Sequence, residues 1–376
     1  MGQYIMGFIS TQLRFKYWVF KLWFIGIFLL QINGNDKKAL IFGITGQDGF
    51  YLTKLLLDKN YIVHGCMRNT PSQLERMRQS FKGFYKNSLF LHYGDLTDAS
   101  SIIELLDEVK PDEIYNLGAQ SQVALSFKKA EYTTNCDALG PLRILEAIRI
   151  LGLKDKIRFY QASSSEMFGD VEDKLQDEMT LFAPKSPYAT AKLFAYWITR
   201  NYREAYKIFA CNGILFNHES ERRGRGFVTR KIARAVAKIS CGKNKVLCLG
   251  NLDSTRDWGY APDYVEAMWL MLQQNAPDDY VIATGEGHSV REFVEAAFKV
   301  IGVTVEWHGD GINEIGRNKE TEKILVRIDP KFFRPNDKKS SLGCNEKAKK
   351  LLRWQPTTKF NELAKKMVES ELLNHL

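Results

Sequence analysis

From residue 38 to residue 216, short apolar runs alternate with amphipathic stretches. Lys38–Phe42 contains Ala39-Leu40-Ile41-Phe42 and predicts a buried strand. A glycine-punctuated turn follows, and then a helical pattern carrying Leu52, Leu55 and Leu56. Tyr61–Met67, Ser88–Gly94, Glu113–Leu117, Ile157–Ala162 and Phe209–Phe216 read as further strands. Helical periodicity marks Ile102–Val109, Asp137–Leu151 and roughly Tyr188–Tyr206. Strands that alternate with helices predict an α/β fold, with a parallel sheet covered on both faces.

The order changes after Asn217. Thr229–Ser240, Asp263–Leu272 and Val290–Ile301 read as amphipathic helices, with candidate strands at Tyr280–Ala283 and Val303–Trp307. The expected organisation is a nucleotide-binding domain over 38–216 and a smaller C-terminal substrate-binding lobe over 217–376. That lobe partly interleaves with the first domain around 251–275. Residues 1–37 form an apolar extension. Its apolar run after Lys21 is about half the ~20 residues a spanning helix needs, so membrane contact is not favoured. No small-residue cleavage site follows it, and it is set apart from the fold.

Composition adds little to this picture except charge. The 376 residues carry a formal charge of +9, which suits either a lysine-rich surface or an anionic ligand. Six cysteines (Cys66, Cys136, Cys211, Cys241, Cys248 and Cys344) are scattered, without C-x-x-C pairs or zinc spacing. No metal is expected, and reduced thiols point to the cytoplasm.

The turn after the first strand is Gly43-Ile44-Thr45-Gly46-Gln47-Asp48-Gly49. Glycine at these positions permits a tight turn, lets a pyrophosphate approach the backbone and keeps the helix close to the sheet. The helix N-terminus then offers unpaired N–H groups to phosphate. Strand, loop and helix arrive in the order a Rossmann-type dinucleotide site requires. An acid usually ends the second strand of an NAD site, where it holds the ribose. Here the strand runs into Arg68, which suits a 2′-phosphate and points to NADP.

Tyr188-Ala189-Thr190-Ala191-Lys192 places a phenol and an ammonium on one helical face. The lysine is expected to lower the tyrosine pKa, so that the phenolate can take a hydroxyl proton during hydride transfer. The preceding strand ends near Ser163-Ser164-Ser165-Glu166. Serine there can hydrogen-bond a substrate oxygen. Glu166 is unusual, because dehydrogenation or epimerisation alone needs no carboxylate there. A dehydration does, because the proton on the carbon beside a newly formed ketone becomes acidic and a base can remove it. Glu166 read as a helix-end acid serving the dipole is equally consistent with its spacing.

With those residues in view, further segments complete a resemblance. HYGDLTD (His92–Asp98), EIYNLGAQS (Glu113–Ser121), NHES (Asn217–Ser220), FVTRK (Phe227–Lys231), NLD-x-x-RDWG (Asn251–Gly259) and YVEAMWLML (Tyr264–Leu272) resemble the GDP-mannose 4,6-dehydratase family of extended short-chain dehydrogenase/reductases. The resemblance runs from about Lys38 to the C-terminus. It implies that NADP is held by Gly43, Ile44, Thr45, Gly46, Gln47, Asp48, Arg68, Asp95, Leu96, Leu117, Gly118, Ala119, Gln120, Ser121, Tyr132, Lys192, His218 and Arg223. It implies catalytic roles for Ser164, Glu166, Tyr188 and Lys192, and places Asn217, Lys231, Arg256 and Arg334 against the GDP-sugar. The family usually has threonine where Ser164 stands and a second arginine where Asn69 stands, and its loop between Arg68 and Asp95 is a few residues longer. That loop reaches a neighbouring subunit in the family, so a homodimer or homotetramer is implied. GDP-mannose is the implied substrate, and no nucleic-acid partner is expected. Two alternatives stay open: another nucleotide-sugar epimerase or dehydratase of the superfamily, and a non-catalytic sugar-nucleotide-binding protein.

Overall fold

The computed structural model describes residues 37–68, 70–170, 175–243, 246–333 and 340–374. The apolar extension, Asn69 and Arg334 lie outside them. Six parallel strands succeed one another through helices: β1 (Lys38–Phe42), β2 (Ile62–Met67), β3 (Leu89–Tyr93), β4 (Glu113–Asn116), β5 (Arg158–Ser164) and β6 (Phe209–Leu215). In space they run β3-β2-β1-β4-β5-β6, the doubly wound order with its reversal between β1 and β4. β5 extends two residues beyond the expected Ala162, so Ser164 is the last residue of the strand.

One finding differs from the pattern-based reading. The segment Asp279–Ile282 does not belong to the smaller lobe's own sheets. It pairs in parallel with β6 and closes the edge of the main sheet as a seventh strand. Its four residues are all buried, and so short a run cannot reveal which sheet it joins.

The helices cover both faces. On one face lie α1 (Gln47–Asp58), which buries Leu52 and Leu56, and the helix Ala261–Leu272, which buries Tyr264, Met268 and Met271 against the same core. On the other, Ala99–Val109 and Gly140–Ile150 bury Ile102, Leu106, Ile144 and Ile148. The helix α2 (Pro187–Tyr206) crosses this second face and carries the Y-x-x-x-K element. Ser186 caps it by accepting from the Ala189 N–H at 3.1 Å, and Pro187 occupies the first turn, where its missing N–H costs nothing. A separate apolar cluster joins α3 (Val228–Ser240) to the helices Val290–Lys299 and Phe360–Leu373 through Ile232, Trp258, Phe293 and Met367. Among the described residues no helix is long and apolar enough to cross a membrane.

Candidate active site

The glycine loop sits at the sheet's reversal point. Gly43 takes φ +82°, a left-handed conformation that disfavours any side chain. A Cβ there would lie 2.8 Å from the nitrogen of Gly118, the loop residue beyond β4. A Cβ on Gly49 would meet the Gly43 carbonyl at 2.5 Å. Gly46, the N-cap of α1, provides no side-chain cap. This cradle, which side chains would fill, fits a dinucleotide pyrophosphate laid on a helix N-terminus.

A cavity of about 790 Å³ opens from this loop, in the size range of small-molecule sites. It is lined by Gly43, Thr45, Gly46, Gln47, Asp48, Arg68, Asp95, Leu96, Leu117, Gly118, Ala119, Ser121 and Tyr132 from the expected cofactor set. Ser164, Glu166, Tyr188 and Lys192 line its middle, and His218 and Arg223 line it too. Asn217, Lys231 and Arg256 complete the wall from the C-terminal half. Two expected residues do not face it. Ile44 is fully buried beneath β2, where a Cβ on Gly65 would strike its Cδ1 at 2.2 Å. Gln120 turns its amide onto the Gln122 carbonyl and the Thr133 hydroxyl, 3.1 and 3.2 Å away, and braces the loop after β4. Arg68 donates to the Tyr132 hydroxyl at 2.6 Å, which ties the end of β2 to the segment before Gly140.

Around Tyr188 the electrostatics run opposite to the expectation. Burial, with the Asp137 carboxylate second, pushes its phenol above the ordinary range, while a hydrogen bond with Ser164 pulls the other way. Lys192 does not meet the phenol directly. Its ammonium donates to the Ala162 carbonyl at 3.0 Å and lies 5.8 Å from the Tyr188 ring centroid. Burial pulls the Lys192 pKa down, and Asp137 opposes that pull. Asp137 itself is pushed up to about 6 by burial, and it accepts the Gln120 N–H at 2.7 Å. Patterning does not single out this carboxylate, because an acid at a helix start reads as a dipole partner. It lies in a single π-helical turn, Asn135–Leu139, which interrupts the helical run and turns Asp137 inward. Ser164 accepts the Glu166 N–H at 3.2 Å, and the turn Ser165–Phe168 leaves the Glu166 carboxylate half-buried at the cavity.

On the opposite wall, His218 sits 2.8 Å from Asp48, and Glu219 pairs with Arg223 at 3.0 Å while accepting from Thr229. The Lys231 ammonium rests 3.2 Å from the ring centroid of Phe332, another cavity residue that patterning did not single out. Arg256 is buried and donates to the Thr255 carbonyl at 2.8 Å.

A doubly wound sheet, a glycine cradle at its switch point and a Ser–Tyr–Lys group in one cavity define a nicotinamide-dependent enzyme of the Rossmann class. Comparison with known proteins narrows this. The sequence profile described as GDP-mannose 4,6 dehydratase matches residues 40–367, and the chain belongs to that family. The GDP-mannose 4,6 dehydratase of Dictyostelium discoideum is 54 % identical over 349 residues, covering 91 % of this chain and 97 % of the relative. The Homo sapiens protein of the same name is 54 % identical over 338 residues, covering 89 % and 91 %. Solved structures share the fold at lower identity. A UDP-glucose 4-epimerase from Bifidobacterium longum superposes with a TM-score of 0.75 at 20 % identity, over 90 % of this chain and 99 % of that one. A dTDP-glucose 4,6-dehydratase from Bacillus anthracis gives 0.72 at 19 %, over 90 % and 97 %.

Proposed function

We propose that this chain is a hydro-lyase that converts GDP-D-mannose to GDP-4-dehydro-6-deoxy-D-mannose, the entry step to GDP-fucose. The observation that carries this reading is Glu166, a carboxylate on the same cavity as Ser164, Tyr188 and Lys192. Family membership supports it. A nicotinamide held along the glycine loop and Lys192 would supply a hydride acceptor for C4 and later a donor for C6. Tyr188 takes the O4 proton as C4 is oxidised, and Ser164 orients O4 by a hydrogen bond. Lys192, anchored on Ala162, keeps a positive charge near that phenol. The Glu166 carboxylate then removes the C5 proton, acidified by the new ketone, and passes it to the C6 hydroxyl, which leaves as water. The proton that Tyr188 took from O4 offsets the one C5 regains when hydride returns to C6. Protons and the hydride balance over the cycle, so the cofactor is not consumed.

NADP is the cofactor on this reading, because the cavity presents the Arg68 guanidinium where an NAD site presents an acid. The division of labour follows the chain: 38–216 binds the dinucleotide, and 217–376 supplies most of the sugar-nucleotide contacts. Asn217, Lys231 and Arg256 face the GDP-sugar, with Arg334 assigned beside them by the family resemblance alone. Phe194 and Trp197, 41 and 51 % exposed on α2, support a homodimer or homotetramer. The described cysteines are all free, which supports a cytoplasmic location.

The test is incubation with GDP-mannose and catalytic NADP⁺. A nucleotide sugar lighter by one water is expected. A product of unchanged mass would favour the epimerase reading, and no product at all would favour a binding protein.

A further inference from the structure

The pair formed by Asp48 and His218 joins the two sides of the cavity. Asp48 lies in the first turn of α1, on the glycine loop, and His218 lies on the short strand Asn217–Glu219. His218 Nδ1 stands 2.8 Å from the Phe216 carbonyl. A carbonyl can only accept, so Nδ1 carries a hydrogen. His218 Nε2 stands 2.8 Å from Asp48 Oδ2. That contact needs one proton between the two atoms, and it needs only one. Whichever atom holds it, the pair has no net charge. The ring is fixed from a third direction by stacking on Tyr264, with centroids 4.6 Å apart. Gln47 repeats the connection next door: its Nε2 donates to the His218 carbonyl at 3.1 Å, and its Oε1 accepts from Ser220 at 2.7 Å.

The position of Asp48 makes this neutrality matter. The first turn of α1 is where the phosphates of a dinucleotide approach, and a bare carboxylate there would repel them. Gln47 satisfies the other carboxylate oxygen with a hydrogen bond of 3.0 Å but brings no charge. His218 is the group in direct contact that brings one. Arg223, Lys192 and Glu219 also act on this pair through space, but none touches it: Arg223 pairs with Glu219, and Lys192 donates to the Ala162 carbonyl with Asp137 as its foremost charged neighbour. The titration behaviour agrees with the geometry. Burial alone would raise the Asp48 pKa, yet His218 holds it below the usual carboxylate range. Burial alone would lower the His218 pKa, yet Asp48 holds it above the usual value.

We propose that His218 acts on cofactor binding through Asp48, as a positioning residue whose proton cancels the carboxylate at the phosphate end of the glycine loop. The role rests on the reading of the cavity as a dinucleotide site. It differs from a direct contact between His218 and the cofactor, which is what the family resemblance implies. The acid is retained because it fastens α1 to the strand that carries Asn217, and the histidine makes that acid compatible with phosphate.

Four proteins decide the question by titration with NADP⁺, read as quenching of intrinsic fluorescence: the full chain, His218→Gln, Asp48→Asn and the double variant. Glutamine can still donate to Asp48 but carries no charge. His218→Gln is expected to weaken NADP⁺ roughly tenfold to a hundredfold, the scale of one poorly screened like charge near a phosphate. Asp48→Asn leaves a neutral pair with a hydrogen bond intact, and should lose clearly less affinity than His218→Gln, whatever contact Asp48 itself makes with the cofactor. The double variant should recover most of the loss. A double variant as weak as His218→Gln overturns the proposal in favour of direct contact or structural support. If His218→Gln does not fold, the double variant is set against Asp48→Asn: equal affinity is expected, and a double variant roughly tenfold weaker than Asp48→Asn overturns the proposal. Failure of the unaltered chain to bind NADP⁺ would refute the dinucleotide reading instead, a separate outcome.

Discussion

A side chain on Gly43 would meet the backbone of Gly118 at 2.8 Å, so the loops after β1 and β4 touch across the sheet's reversal point. Gly43→Ala faces both this contact and the left-handed φ of +82°. The strained backbone alone costs about 1–3 kcal/mol. The expected outcome is a lower thermal midpoint together with loss of NADP⁺ binding, followed by calorimetry and fluorescence titration. A variant with unchanged stability and affinity would show that the loop opens freely.

Arg68 sets cofactor choice on the proposed reading. Its guanidinium is held by the Tyr132 hydroxyl at 2.6 Å, which orients it at the end of β2. Arg68→Ala should weaken NADP⁺ far more than NAD⁺, and Tyr132→Phe should give a smaller loss in the same direction. Parallel titrations with the two cofactors check this. Equal losses for both would remove the 2′-phosphate from the argument.

Much of this is legible in the sequence. Apolar runs bounded by glycine, serine and asparagine located the six strands β1–β6, because a parallel strand buried on both faces reads as continuous hydrophobicity. Gly43, Gly46 and Gly49 mark the expected phosphate loop, and a Cβ on Gly43 or Gly49 would collide with backbone there. Other features left no trace in the pattern. Asp279–Ile282 is too short to show which sheet it completes. Asp137 is turned inward by a π-helical turn that periodicity cannot reveal. The direction of the Tyr188 shift depends on burial and on Asp137, both set by tertiary packing rather than by the Y-x-x-x-K spacing.

That packing has a consequence for pH dependence. Burial and Asp137 both raise the Tyr188 pKa, so the proton-accepting phenolate becomes less available as pH falls. The hydride step should therefore rise with pH along an acid limb. Asp137→Asn removes the largest raising influence after burial, ahead of Glu166, and the limb should move to lower pH. Single-turnover NADPH absorbance across pH, with GDP-mannose in excess, measures it. A limb that stays put would mean that Asp137 only braces Gln120.

The apolar extension can be tested by removal. β1 begins at Lys38, and the family match starts at residue 40. A chain lacking residues 1–36 should stay soluble and keep dehydratase activity. Loss of both, with the full chain active in a membrane fraction, would assign the extension a working role.

On the proposed reading, Glu166 separates the two halves of the reaction. Oxidation at C4 draws on Tyr188, Lys192 and the nicotinamide, and none of those steps needs a carboxylate. Elimination across C5 and C6 does, because the carbon acid needs a base within hydrogen-bond reach. Ser164 holds the backbone of Glu166 by accepting its N–H at 3.2 Å, so the carboxylate is placed by the turn that ends β5. Glu166→Gln keeps that shape and removes the base. Product formation should fall by about 10²–10⁴, the usual scale for general-base loss. Binding of GDP-mannose and NADP⁺ should persist, and exchange of the C5 proton with deuterated water should stop. Tyr188→Phe should fail earlier, with no NADPH absorbance in a single turnover. Near-normal product and C5 exchange in Glu166→Gln would reduce Glu166 to a helix-end acid, and the base would have to lie elsewhere in the cavity.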